Sequence, residues 1–313
     1  MYFCPMKKWW VIGGLGLAVA FSVGFNPPTP IKTKAQLGKK LFSDPILSKD
    51  NSISCASCHI PAYGFADTLA ISLGVGATPG SRNAPTVMNL RGHDPFFWDG
   101  RAATLEAQAI MPIENPVEMN LPIKEAVKRL NESKTYRSLF MAIFKQTPNA
   151  KNLGQALAAF QNTLETDESD FDLDQMSESA ERGRQLFVSD KTKCFDCHNG
   201  TDFTNDDFKN IGLYDGVSLV DEGRYAITKN KEDLGKFKTP GLRNVAVTAP
   251  YMHNGMFKTL EEVVEYYDNP YKFVPKPINI DSTLREPLNL SQQDKSDLVN
   301  FLKALTDKQF VKK

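Results

Sequence analysis

Apolar residues recur at helical spacing, or behind helix-start signals, in eight stretches: Lys34–Phe42, Leu105–Ala109, Ile123–Leu130, Thr135–Phe144, Asn152–Leu164, Ser179–Phe187, Leu260–Tyr267 and Ser291–Leu305. Thr104 ahead of Glu106, and Thr259 ahead of Glu261 and Glu262, mark helix starts, because a threonine hydroxyl can accept from first-turn N–H groups that have no helical partner. Strand-type alternation is weak everywhere. The pattern therefore predicts a mainly α protein. Between the fifth and sixth stretches the chain reads ETDESDFDLDQMSES, acidic and polar. It predicts a solvated linker over 166–178, separating an N-terminal domain at 30–165 from a C-terminal one at 179–313.

The first 25 residues fall outside this scheme. Lys7 and Lys8 precede an apolar run from Trp9 to Phe25, and Pro27-Pro28 follow. A basic start plus such a run predicts an export signal, either cleaved or kept as an N-terminal membrane anchor, and so a periplasmic protein. Charge adds an exclusion: 37 Lys plus Arg against 37 Asp plus Glu leaves no net charge for gripping nucleic acid. The lysines at 229, 231, 236 and 238 form a loose basic cluster that reads as solvated loop.

Beyond the leader four cysteines remain. They fall in Cys55-Ala56-Ser57-Cys58-His59 and Cys194-Phe195-Asp196-Cys197-His198. In an exported protein two pairs of cysteines first suggest disulfides, but a histidine directly after each pair changes the chemistry. Cys-x-x-Cys-His is the c-type haem attachment pattern: the thiols bond the porphyrin and the imidazole turns onto the iron. A thioredoxin-like dithiol or a zinc site is the alternative, and no βαβ alternation surrounds either motif. The surroundings repeat as well. Gly38-Lys39-Lys40-Leu41-Phe42 precedes the first motif and Gly183-Arg184-Gln185-Leu186-Phe187 the second. At a common offset of 155, Pro85–Asn89 matches Pro240–Asn244, Trp98-Asp99-Gly100 matches His253-Asn254-Gly255, and Thr104-Leu105-Glu106 matches Thr259-Leu260-Glu261. The motifs themselves are 139 apart, so the second copy carries 16 extra residues, within the polar stretch 202–238.

These motifs resemble the bacterial di-haem cytochrome c peroxidase family, which includes MauG-type proteins. The likeness also rests on Arg82-Asn83-Ala84-Pro85-Thr86, Phe97-Trp98-Asp99-Gly100-Arg101, Pro116-Val117-Glu118-Met119, and Leu242-Arg243-Asn244 leading into Ala249-Pro250-Tyr251-Met252-His253-Asn254-Gly255. The resemblance implies two tandem cytochrome-c-like domains, each with one covalently bound haem c. In the first, hydrogen peroxide is reduced on the haem of His59, with Glu118 as acid–base group and Gln108 orienting the peroxide. In the second, the haem of His198 takes electrons from a small donor protein, a cytochrome c or a cupredoxin. Trp98 matches the tryptophan between the haems. Asn83, Thr248 and Pro250 match positions that bind a calcium ion at the domain interface, and a homodimer is a further option within the family.

Two positions depart from the commonest pattern of that family. Where many relatives hold a histidine that blocks the peroxide-reducing iron until the other haem is reduced, this chain has Val75, which cannot ligate. Fourteen residues after His253, where a methionine often supplies the second haem's sixth ligand, stands Tyr267, as in MauG-type members. Tyr266, Met252 and Met256 compete with it. His253 reads as a hydrogen-bonding residue of the domain interface, His93 as a surface or turn residue, and Arg82, Arg101 and Arg243 as partners of haem propionates or of interface carboxylates. The leading expectation is a peroxidase. A MauG-type oxidase acting on a protein or small-molecule substrate, and a non-enzymatic di-haem electron carrier or sensor, are the alternatives.

Overall fold

The computed structural model describes residues 1–2 and 30–311. The leader expected over 1–25 lies outside the described residues beyond its second residue. Among the described residues no helix is long and apolar enough to cross a membrane. From Ile31 onward the chain forms one unit, built of two halves.

The first half contains α1 (Lys34–Ser43), the one-turn α2 (Cys55–Cys58), α3 (Leu105–Glu114), α4 (Ile123–Glu132), α5 (Lys134–Phe144) and α6 (Ala150–Gln161). The second contains α7 (Glu178–Phe187), the one-turn α8 (Tyr225–Thr228), α9 (Leu260–Asp268) and α10 (Gln292–Ala304). A two-residue antiparallel ladder, β1 (Phe208–Lys209) with β2 (Phe237–Lys238), lies within the insertion of the second copy. The fifth stretch ends three residues earlier than its apolar pattern suggests, because Asn162 caps the helix at Gln161. Most starts are chemically specified. Thr33 with Gln36, Thr259 with Glu262, and Ser291 with Asp294 form capping boxes, and Thr104 accepts from the Ala107 N–H.

Each half has its own core, and the cores are built alike. In the first, α1 crosses α6 around fully buried Leu37, Leu41, Leu153 and Leu157, with Phe42 edge-on to Phe160 at 5.2 Å. In the second, α7 crosses α10, and Phe187 meets Phe301 at 5.1 Å. Gly38 and Gly183 sit at the two crossings. A Cβ at either would collide with a backbone carbonyl of the facing helix, Ala156 or Asp297, so only glycine lets the axes approach.

The acidic segment is mostly exposed, as its composition predicts, but it is anchored at several residues. Thr166 and Ser169 are buried, Phe171 packs on Phe203 at 5.2 Å and on Phe301 at 6.1 Å, and Asp172 pairs with Arg243. Thr166 ties the repeat together: its hydroxyl donates to Asn89 Oδ1 and accepts from Asn244 Nδ2, the asparagines that end the two matching blocks.

The halves meet through hydrogen bonds that exchange under the same offset. The Asn83 N–H donates to the His253 carbonyl at 2.7 Å, and the Lys238 N–H donates to the Trp98 carbonyl at 2.8 Å. Residue 238 is the repeat equivalent of 83, and 253 of 98, so the interface is locally pseudo-two-fold. Beside it Arg82 forms a bidentate pair with Asp221 at 2.7 and 2.8 Å and a third bond to Asp99 at 2.6 Å. Arg101 adds a second cation to Asp99.

Candidate functional site

One turn of helix presents the first cysteine pair. Cys55 and Cys58 open and close α2, and His59 follows as its cap. The His59 Nδ1 lies 3.1 Å from the Phe65 carbonyl oxygen, which can only accept, so Nδ1 carries the hydrogen and Nε2 keeps its lone pair. The second motif repeats this: His198 Nδ1 donates to the Phe203 carbonyl at 2.9 Å. Burial lowers the pKa of both imidazoles, partly offset by those carbonyls, and so keeps them neutral and ready to ligate. None of Cys55, Cys58, Cys194 and Cys197 forms a disulfide. Burial pushes Cys55 up to about 12 and Cys194 up to about 11, so these thiols are poor spontaneous nucleophiles in the folded chain.

Cys55, Cys58 and His59 open into a cavity of about 570 Å³ that reaches the interface between the halves. Gln108, from α3, and Glu118 line the same cavity, as do Trp98 and Arg101. Two thiols beside a singly committed imidazole, at the wall of a space of this size, fit a covalently held haem. Burial raises the Glu118 pKa, with the Asn115 hydrogen bond and the Arg101 charge holding it back. Asn115 Nδ2 donates to Glu118 Oε1 at 2.6 Å, which fixes one carboxylate oxygen. The loop bearing Val75 packs against this segment: the Val75 N–H donates to the Glu118 carbonyl at 2.8 Å, and Gly74 has no room for a Cβ against Val117 and Glu118.

Trp98 is gripped from both sides. Its indole donates to the Asn83 carbonyl at 2.9 Å while its own carbonyl accepts from Lys238. His253, its repeat counterpart, joins the interface by stacking on Phe237 at 3.6 Å and 11°, and it is the backbone carbonyl of His253 that bonds Asn83. Burial drops its imidazole to about 4, so it is neutral.

Around the second motif the structure separates two adjacent tyrosines. Tyr266 is wholly buried with its hydroxyl donating to the Ile211 carbonyl at 2.6 Å, which makes it a packing residue. Tyr267, at the next position of α9, is half-buried near Cys197 and Cys194; desolvation, then those thiols, push its phenol pKa up. Met256 is exposed, with Asn254 Nδ2 at 3.7 Å from its sulfur, and Met252 packs against the buried cluster of Leu213, Phe257, Tyr266 and Val274. Among the described residues no group of three or more His, Cys, Asp or Glu could hold a metal ion. A calcium ion at Asn83, Thr248 and Pro250 would depend on amide, hydroxyl and carbonyl oxygens. Asn83 is buried there, its Nδ2 3.3 Å from the Leu69 and Ala70 carbonyls.

Two expectations are corrected. His93 is no ordinary surface or turn residue, for it pairs across the halves with Asp206 and Asp202. Lys238 is not part of a solvated cluster; it is held by Asp206 and the Pro95 carbonyl. Arg82 and Arg243 take the carboxylate-pairing role expected of them, on Asp221 at the interface and on Asp172 of the linker. Composition hid these pairs, yet the offset of 155 already marked Asn83 with Lys238 and Asn89 with Asn244 as equivalent positions.

A family model described as di-haem cytochrome c peroxidase matches residues 32–180. The chain is 39% identical to the methylamine utilization protein MauG of Methylorubrum extorquens, over 90% of this chain and 79% of that one. It is 34% identical to the cytochrome c551 peroxidase of Pseudomonas aeruginosa, over 88% and 79%. Among solved structures, a MauG-like protein associated with microbial copper homeostasis matches with a TM-score of 0.81 at 31% identity, covering 88% of this chain and 90% of that one.

Proposed function

This chain belongs to the di-haem cytochrome c peroxidase family, which makes it a haem-dependent oxidoreductase with two covalently bound c-type haems, and on that premise we propose that it reduces hydrogen peroxide to water. The observation that carries the proposal is the convergence of Glu118 and Gln108 on the cavity of His59, with valine at position 75. Cys55, Cys58 and His59 would hold the first haem and Cys194, Cys197 and His198 the second, in domains spanning 30–165 and 179–313. When bound, the first haem supplies an iron with an open position for peroxide and the second a one-electron relay.

Asn115 fixes Glu118 Oε1, leaving Oε2 to take a proton from the near peroxide oxygen and return it to the far one. Burial raises the Glu118 pKa, while the Asn115 hydrogen bond and then the Arg101 charge favour the ionised form that acts as the base. The Gln108 amide orients the peroxide. Two electrons and two protons turn one peroxide into two waters. Trp98, clamped by Asn83 and Lys238, fills the path between the halves and fixes their separation. Electrons enter at the second haem from a cytochrome c or cupredoxin, and the leader would deliver the chain to the periplasm. A calcium ion on Asn83, Thr248 and Pro250 would lock the interface.

A second reading, a MauG-type oxidase, is favoured by Tyr267. Its phenol stays protonated when buried alone, and a ferric ion is the kind of cation that would draw the proton off and hold the phenolate. Mixing the fully ferric holoprotein with hydrogen peroxide and reduced cytochrome c, with no prior reduction, separates the readings. Rapid oxidation of the cytochrome is expected. Activity only after partial reduction would contradict the role given to Val75. Peroxide loss with the donor untouched and a lasting absorbance change would favour the oxidase.

A further inference from the structure

One charged cluster has no task in this reaction. His93 stands in the first half, five residues before Trp98, and carboxylates of the second half engage both its ring nitrogens. Nδ1 lies 2.7 Å from Asp206 Oδ2, and Nε2 lies 3.2 Å from Asp202 Oδ2. An ionised carboxylate only accepts, so both nitrogens carry hydrogen and the ring is an imidazolium. Behind the carboxylates stand two more cations: Lys238 at 2.8 Å from Asp206, and Arg243 at 2.9 Å from Asp202. Lys238 also donates to the Pro95 carbonyl, and Arg243 also holds Asp172. The Asp202 hydrogen bond first, then, against burial, the Asp206 bond and the two negative charges, raise the His93 pKa.

Asp202 and Asp206 bracket Phe203, the residue whose carbonyl accepts from His198 Nδ1 at 2.9 Å. We propose that His93 is a positioning residue for the second haem: its imidazolium pins the 202–206 loop, and with it the Phe203–His198 hydrogen bond, to the Trp98 turn of the other half. That hydrogen bond sets how strongly the His198 ring donates to iron, and hence how far the ferric state is favoured. A neutral imidazole has one N–H, so losing the proton turns a lone pair towards one of the two carboxylates and removes one anchor of the loop. The position offset by 155 from His93 is Thr248, whose hydroxyl donates to Val245 within its own half. The second half therefore carries no matching imidazolium at the repeat position.

The inference rests on His198 as ligand of the second haem in the proposed function. Its test uses no peroxide, so failure of the peroxidase reading and failure of this inference are told apart. The midpoint potential of the second haem is followed by spectroelectrochemical titration of the di-haem holoprotein across a pH series starting below the ordinary histidine pKa. A step to higher potential is expected in the unsubstituted protein as His93 loses its proton, because the loosened Phe203 bond weakens donation to iron. His93→Gln, neutral at every pH, should lose that step while keeping any slope from haem propionates. Asp206→Asn, which removes one carboxylate from the ring, should move the step to lower pH and serves if His93→Gln fails to load haem. Superimposable curves, or an Asp206→Asn step that stays in place, would overturn the proposal. So would a step to lower potential, which marks the lost positive charge acting through space without any positioning.

Discussion

Replacing Glu118 by glutamine removes proton transfer while leaving the shape of the cavity intact. Asn115 Nδ2 donates to Glu118 Oε1 at 2.6 Å, and a glutamine oxygen accepts the same bond, so the side chain keeps its place. The Val75 loop is tied to the backbone carbonyl of residue 118, so it is not disturbed either. What is lost is the acid–base step, which is worth roughly 10²–10⁴-fold in rate, or about 3–5 kcal/mol of barrier. The pH dependence carries a second signature. The carboxylate must be ionised to take the first proton, so kcat/KM rises as pH rises through the Glu118 pKa. Burial raises that pKa, so the acid limb is displaced upward from where an ordinary glutamate would put it. The assay is steady-state oxidation of reduced cytochrome c by peroxide across pH, on protein whose haem spectrum matches the unsubstituted one. Glu118→Gln should lower kcat/KM by about 100-fold or more and erase the acid limb. Activity within about threefold of the unsubstituted protein, or a limb that survives, would refute the assignment of Glu118.

Tyr267→Phe should change the second haem's ferric spectrum and raise its potential. Tyr266→Phe should leave both alone and destabilise the fold by about 1–2 kcal/mol, since it removes the hydrogen bond to the part-buried Ile211 carbonyl; a spectral change in Tyr266→Phe alone would reverse the assignment. Val75→His should give a six-coordinate ferric first haem and lower the activity of the fully oxidised protein at least about tenfold, with recovery on partial reduction; an unchanged spectrum would mean that residue 75 does not reach the iron. Asp221→Ala breaks the bidentate Arg82 pair. With the aspartate side chain 30% exposed and Arg82 still held by Asp99, the loss should be about 2 kcal/mol, a fall in Tm of about 4–8 °C by calorimetry. Burial works against ionisation of Asp221, but the Arg82 bonds and the Gly223 N–H hold its pKa below the ordinary value. Its contribution is therefore present above the ordinary carboxylate pKa and lost as pH falls through the depressed one, and the variant should not show that loss.

The chain's local chemistry was enough to locate most helices, both Cys-x-x-Cys-His motifs and the duplication, because each depends on residues close in sequence or at a constant offset. Thr33, Thr104, Thr259 and Ser291 cap their helices through N–H groups three residues on, and the cysteines and histidine share one helical turn. The resemblance brought Glu118 and Gln108 forward as a pair, and in the fold both line one cavity. Tertiary structure alone decided what depends on partners far along the chain. Tyr266 and Tyr267 are alike in sequence; rotation about α9 sends one hydroxyl to Ile211 and the other side chain towards Cys194 and Cys197. The 166–178 segment is acidic and mostly exposed, yet Phe171 finds an aromatic core and Asp172 an arginine, and these anchor it. His93 has no local feature that sets it apart. Its charge is decided by two aspartates more than a hundred residues away, because a proton's free energy depends on the groups within hydrogen-bonding reach and not on its neighbours in the chain.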